Sequence, residues 1–253
     1  MSEAYVKSHI EHGINTIEFF HPQSNSLPGK ILEELAREIH FAGTHDDTSV
    51  IILKSAGEKT FCSGASFDEL ASIKNEKEGL IFFSGFANVI NAMRKCPKFI
   101  IGRIQGKCVG GGVGLASAVD YAIATDKAEI KLSELAVGIG PFVVGPAVER
   151  KIGKGAFSAL AIDATSWRST DWAKKKGLFA EVHESIENMD ESVYRLANTL
   201  AHSSTHAMAE MKKMFWVGAE NWDELLKERA AISGKLVLSE FTRNAINKFK
   251  AKA

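Results

Sequence analysis

The chain has 253 residues, 45% of them hydrophobic and 25% charged, which is enough to bury a full core and sits at the upper edge of single-domain length. With 31 basic and 31 acidic residues its formal net charge is +0, so no global field gathers nucleic acid or an anionic membrane, and an anionic ligand has to be met locally. Cys62, Cys96 and Cys108 make an odd set with no zinc-ligand spacing. Residues 1–15 show neither an apolar signal core nor an Arg-rich amphipathic pattern, and no window nears the roughly 18 apolar residues of a membrane span. The expectation is a soluble, cytoplasmic protein with reduced thiols and no nucleic-acid or membrane partner.

In chain order, Thr16-Ile17-Glu18-Phe19-Phe20 alternates like a strand and breaks at His21-Pro22-Gln23-Ser24-Asn25. A helix follows from Pro28, where Ile31, Leu32, Leu35 and Ile39 recur at helical spacing. Val50-Ile51-Ile52-Leu53 is apolar without alternation, the mark of a buried parallel strand. A Gly/Ser loop at 57–66, a helix around 80–93 and a strand at 99–104 continue the pattern. After a glycine cluster come a small-residue helix at 114–119 and strands at 121–124 and 130–132. From about Asn188 the strand signals stop, and Val193, Leu196, Ala197, Leu200, Leu225, Leu226, Ile232 and Leu236 follow helical spacing. The order is that of an α/β core followed by a helical C-terminal quarter.

The most informative stretch is Gly106-Lys107-Cys108-Val109-Gly110-Gly111-Gly112-Val113-Gly114, leaving a strand and entering a helix. Glycines inside a helix cost up to ~1 kcal/mol each, so backbone exposure is required there, and a helix N-terminus with unpaired N–H groups suits an oxyanion or a phosphate. Neither G-x-G-x-x-G in register nor G-x-x-x-x-G-K-[ST] is present. Glycines that serve only close helix–strand packing remain the competing reading of this loop taken alone. A second loop, Lys59-Thr60-Phe61-Cys62-Ser63-Gly64-Ala65-Ser66-Phe67, also joins a strand to a helix. Two such loops can aim two N–H donors at one thioester oxygen. Ser63 lacks the flanking glycines of a nucleophile elbow, and Cys62 without a histidine in its motif reads as a small buried hydrophobe.

Phe61-Cys62-Ser63-Gly64-Ala65-Ser66 resembles the F-x-[AS]-G-A-D loop of the enoyl-CoA hydratase/isomerase, or crotonase, superfamily, and the glycine run resembles its second signature. Pro22-Gln23-Ser24-Asn25-Ser26-Leu27, Asp120-Tyr121-Ala122-Ile123-Ala124, Ser133-Glu134 with Gly138-Ile139, and Phe249 with Lys252 resemble further family segments in the family's order. The resemblance implies that the Ala65 and Gly111 N–H groups form an oxyanion hole. It implies that the Ser63 and Ala65 carbonyls meet the adenine of coenzyme A, that Phe67 lines that pocket, and that Phe249 and Lys252 approach the nucleotide from a neighbouring subunit. Glu134 matches the second of two catalytic glutamates, and the apolar run after it, Leu135 to Gly140, suggests a setting that raises its pKa.

The sequence departs from the family at Gly114, where hydratases carry their first glutamate, at Ser66 in place of Asp, and at Phe142 after Pro141. A single carboxylate suits proton transfer between C2 and C4 of an enoyl thioester better than addition of water. The expected fold is α/β and crotonase-like, a spiral of ββα units. Residues 1–187 are expected as the acyl-CoA-binding catalytic core and 188–253 as a helical segment at the interface of a homotrimer, or of a hexamer built as a dimer of trimers. The expected function is Δ3,Δ2-enoyl-CoA isomerisation by Glu134, Ala65 and Gly111. The alternatives are an enoyl-CoA hydratase of fatty-acid or branched-chain acid breakdown and a non-catalytic acyl-CoA binding protein. No cofactor is expected beyond the coenzyme A of the substrate, and no metal: His202, His206 and Glu210, spaced by four, read as a polar stripe on one helix. The four tryptophans read as core or subunit contacts, and Lys174-Lys175-Lys176 as a solvated face.

Overall fold

A computed structural model describes residues 3–250, with the backbone only of Phe249 and Lys250. Strands β1 (Tyr5–Glu11) and β2 (Ile14–Phe20) pair antiparallel in an unbroken register from Tyr5 opposite Phe20 to Glu11 opposite Ile14. Their two-residue turn, His12-Gly13, has both φ values positive (50° and 80°), the hairpin geometry whose twist matches the strands.

From β2 onward one unit repeats: a strand enters a large sheet, a short strand enters a small one, and a helix returns. The first round is β2, β3 (Ser26–Leu27) and α1 (Gly29–Thr44). The second is β4 (Val50–Ser55), β5 (Thr60–Cys62) with β6 (Gly64–Ala65), then α2 (Phe67–Ser72) and α3 (Glu76–Lys95). The third is β7 (Phe99–Ile104), β8 (Lys107–Val109) and α4 (Gly111–Ala118), and the fourth β9 (Tyr121–Thr125), β10 (Ile130–Lys131), a 3-10 turn (Leu135–Val137) and α5 (Gly145–Ile152). Helices α6 (Lys154–Ile162) and α7 (Thr170–Lys175), strand β11 (Glu181–His183), and α8 (Ile186–Ala201), α9 (Thr205–Phe215), α10 (Trp222–Leu236) and α11 (Glu240–Lys250) complete the chain. This is the crotonase-like spiral of ββα units.

The large sheet runs β1-β2-β4-β7-β9-β11 and is parallel from β2 on. Every residue of β7 and five of the six in β4 are buried, which explains their unalternating apolar runs: a parallel strand covered on both faces has no polar side to show. On one face Ile17, Phe19, Ile51 and Leu53 meet Leu35 and Ile39 of α1. On the other, Ile14, Val50, Ile52 and Ile101 meet Met189, Val193 and Ala197 of α8, so that helix completes the core of its own chain. α10 packs along α3. No helix among the described residues is long and apolar enough to cross a membrane.

A buried charge pair ties the C-terminal helices to the sheet. Lys212 Nζ on α9 lies 2.8 Å from Asp120 Oδ2, with side chains only 2% and 7% exposed, and donates to the Lys98 carbonyl at 2.7 Å. Asp120 Oδ2 also accepts the Ile100 N–H at 2.8 Å, and the Trp216 indole N–H approaches Oδ1 at 3.4 Å. Removing one partner would strand the other charge where water cannot reach it. Lys212→Ala is therefore expected to lower the unfolding free energy by about 3–5 kcal/mol, read by urea denaturation; a loss under about 1 kcal/mol would show that the pair is solvated.

Candidate active site

Three short parallel strands deliver the candidate residues to one place. In the small sheet β10-β8-β5, β8 lies in the centre. Register pairs Thr60 with Lys107 and Cys62 with Cys108 on one side, and Ile130 with Cys108 and Lys131 with Val109 on the other. All three strands end at the same edge, where α/β folds collect their chemistry. The residues just past those ends are Gly64-Ala65, Gly110-Gly111 and Ser133-Glu134.

The two glycine loops converge as expected. A Cβ on Gly64 would lie 3.1 Å from the Val109 carbonyl and 3.4 Å from the Gly111 nitrogen. Gly111 is the first residue of α4, so helix geometry leaves its N–H without an intrahelical acceptor and at the positive end of the helix dipole. Gly110 adopts φ 53°, ψ −116°, a conformation essentially restricted to glycine. Its N–H donates to the Lys131 carbonyl at 2.9 Å, locking α4 to the strand that leads to Glu134.

Glu134 stands over this turn. A Cβ on Gly110 would approach Glu134 Oε1 to 3.1 Å, so its φ calls for glycine and the carboxylate leaves a side chain there little room. Glu134 is held by its own main chain: Gly138 turns left-handed at φ 81°, and the N–H groups of Val137 and Ile139 donate back to the Glu134 carbonyl at 3.2 and 3.0 Å. The residue as a whole is partly exposed, yet its carboxyl end is enclosed, and Oε2 has no hydrogen-bond partner. Desolvation raises its pKa from 4.5 to about 7, against a smaller lowering from its own backbone.

Around this centre Ser66, where the family carries Asp, caps α2 by accepting the Glu69 N–H at 3.3 Å, so serine keeps the turn. Asn25 Nδ2 donates to the carbonyls of Ala56 and Thr60 at 2.9 and 3.0 Å. Gln105, fully buried, also reaches the Thr60 carbonyl, at 3.2 Å. These amides fix the loop before Phe61, beside a cleft of about 450 Å³ between His21, Pro22 and Asn25 on one side and Gly57, Glu58 and Lys59 on the other. The Ala65 carbonyl accepts Ser26 Oγ at 3.0 Å and keeps a second lone pair. Ser63 Oγ donates to the Gln23 carbonyl at 3.5 Å. Phe67 packs with Leu70, Ile139, Val237 and Ile246. The expected roles of the Phe249 side chain and of Lys252 lie outside the described residues.

Other residues singled out in the sequence have plain structural settings. Cys62 is buried and its thiol is pushed up to about 12 by desolvation, which leaves no thiolate for nucleophilic attack. His202, His206 and Glu210 do not share one helix: α8 ends at Ala201, His202 caps it, and the other two lie on α9. Lys174, Lys175 and Lys176 are exposed, while Trp216 and Trp222 are buried edge to face. Two contributors had no clear sequence signal, Phe86 of α3, whose ring covers Gly111, and Val144, which covers Gly114.

Fold and site together define a crotonase-like protein with a desolvated glutamate beside a helix N-terminus. The sequence matches the enoyl-CoA hydratase/isomerase family over residues 9–250, and the chain belongs to that family. It is 26% identical over 208 residues, 80% of each chain, to the (7aS)-7a-methyl-1,5-dioxo-2,3,5,6,7,7a-hexahydro-1H-indene-carboxyl-CoA hydrolase of Mycobacterium tuberculosis. It is 26% identical to a "Probable enoyl-CoA hydratase" of Bacillus subtilis, over 96% of this chain and 94% of that one. The crystal structure of an enoyl-CoA hydratase from Bacillus halodurans superposes with a TM-score of 0.89 at 21% identity, covering 96% of this chain and 99% of that one.

The carboxyl setting has a consequence for stability. Below pH 4.5 Glu134 is protonated in the folded and the unfolded chain alike. Between 4.5 and about 7 the folded chain keeps the proton that the unfolded chain has lost, so stability falls as pH rises through this window and is level above it. Glu134→Gln removes the buried charge and is expected to stabilise the fold at pH 8 by up to about 3 kcal/mol, with little change at pH 4. Equal denaturant midpoints for both proteins at pH 8 would refute the desolvated setting.

Proposed function

We propose that the protein isomerises an enoyl-CoA by moving one proton between C2 and C4, with Glu134 as the base that takes it and returns it. The observation that carries this reading is an enclosed carboxyl, with pKa about 7, set against the N-terminus of α4. The N–H of Gly111, with that of Ala65 as its partner donor, would polarise the thioester carbonyl and stabilise the enolate that forms when a proton leaves. A base of pKa near neutrality can both accept that proton and give it back. The nucleotide end of coenzyme A would lie along Ser63 and Ala65 towards the cleft, where Lys59 of its wall would meet a phosphate.

Gly114 supplies no second carboxylate, which favours isomerisation over addition of water. The family relatives named above include a hydrolase and a hydratase, so family membership leaves the reaction open, and the choice rests on the residues around Glu134. The same reading expects an assembly of three copies or two sets of three. Exposed apolar side chains on and after α9, Met211, Met214, Phe215 and Val217, offer a face for such a contact.

Purified protein given 3-hexenoyl-CoA is expected to form the conjugated 2-enoyl product without gain of water, and given 2-butenoyl-CoA to add water slowly or not at all. Rapid hydration of the second substrate would reverse the ranking. Glu134→Gln is expected to lower kcat by about 10²–10⁴-fold while leaving binding of a saturated acyl-CoA within about threefold. For the unaltered protein kcat/KM should rise with pH and level off above about 7, because only ionised Glu134 accepts a proton.

A further inference from the structure

Position 114 lies one turn into α4, its N–H bonded to the Gly110 carbonyl at 3.3 Å. Gly110 faces Glu134, and Gly114 faces Val144: a Cβ at 114 would fall 2.5 Å from Val144 Cγ1 and 2.8 Å from Val144 Cβ. Real atoms do not approach so closely, so no side chain fits at 114 while Val144 stays in place. Val144 cannot easily yield. It is 4% exposed, its β-branched side chain is stiff, and it opens α5, with its carbonyl accepting the Val148 N–H at 3.1 Å and the next residue, Gly145, bonded to Pro141 at 2.8 Å.

The flank that α4 turns towards Glu134 and α5 therefore consists of Gly110, Gly114 and Val144. None of these side chains carries a hydroxyl, amide or carboxyl to orient a water, and Glu134 Oε2 is buried without a hydrogen-bond partner. We propose that Val144 is the specificity-determining residue of this site: by filling the space beside Gly114 it keeps out the second polar group, and the water that group would hold, and so confines Glu134 to shuttling a proton. The proposal deepens the isomerase reading and rests on it. The excluded reaction is balanced without an oxidant or reductant: water oxygen bonds to C3, a proton arrives at C2, another leaves the attacking water, and the C2=C3 double bond is consumed.

The test compares the unaltered protein with Val144→Ala, Gly114→Glu and the double variant Gly114→Glu/Val144→Gly, each given 2-butenoyl-CoA and 3-hexenoyl-CoA, with products resolved by mass and folding checked by circular dichroism and thermal melting. Gly114→Glu alone is expected to melt lower than the unaltered protein and to add no more water. The double variant should recover the melting temperature and hydrate 2-butenoyl-CoA about tenfold or more faster than the unaltered protein. Val144→Ala should raise the share of hydrated product, and it decides the matter if the double variant fails to fold. The proposal is overturned if Gly114→Glu alone is stable and hydrates as well as the double variant. It is equally overturned if folded variants with a smaller residue at 144 add no more water than the unaltered protein. Absence of double-bond migration in the unaltered protein would instead sink the isomerase reading, and the rates of water addition would still judge Val144.

Discussion

Two stretches of backbone touch here with no side chain between them, and the site depends on that contact. A Cβ on Gly112 would run into the Cys62 carbonyl, and one on Gly106 into the Lys59 carbonyl. Residues 59–65 and 106–112 can therefore approach to backbone distance only because glycine occupies those positions. The approach brings the end of β6 against the N-terminus of α4. A side chain at either position would force the loops apart, and the two donors of the proposed oxyanion hole would no longer share a target.

So many glycines weaken a helix start, and α4 is short, at 8 residues, too short to be stable on its own propensity. Tertiary contacts replace what propensity lacks. Every residue from Gly112 to Ala118 is buried. At the far end the Lys151 ammonium donates to the Val119 and Asp120 carbonyls at 2.9 and 3.0 Å, satisfying acceptors the helix leaves open. Burial pushes that lysine down to about 8, with Asp120 opposing. Asp120 in turn is fixed by Lys212. The helix is thus anchored at its C-terminus by charge and at its N-terminus by the Gly110–Lys131 bond.

The central strands β4, β7 and β9 were legible because burial on both faces leaves an apolar run that few other structures produce. β1 was not, because it is an edge strand with mixed, largely exposed side chains, and neither was β11, which has only three residues. Helices α5 to α7 escaped because they are short and their apolar residues lack a sustained period. α4 was placed three residues late, since glycines in a helix start read as loop. Glu134 is one of 31 acidic residues, and only the resemblance singled it out. The cause of its raised pKa was partly visible in the apolar run that follows. Val144 could not be found from sequence at all, because its meaning lies in a contact with a residue 30 positions earlier.

The orphaned oxygen of Glu134 and the glycine-only turn at Gly110 are both unfavourable for folding, and they lie against each other. Folding alone would remove either one: a donor beside Oε2 would lower the pKa and stabilise the charge. Such a donor would also weaken the base of the proposed mechanism, since a carboxylate stabilised in the resting site has less to gain from a proton. Keeping the group unpartnered holds its pKa near neutrality, where the ionised and protonated forms are close in energy and transfer in either direction is easy. On the proposed mechanism the destabilised residues are the ones that act, and the anchoring of α4 at both ends is what lets the fold carry them.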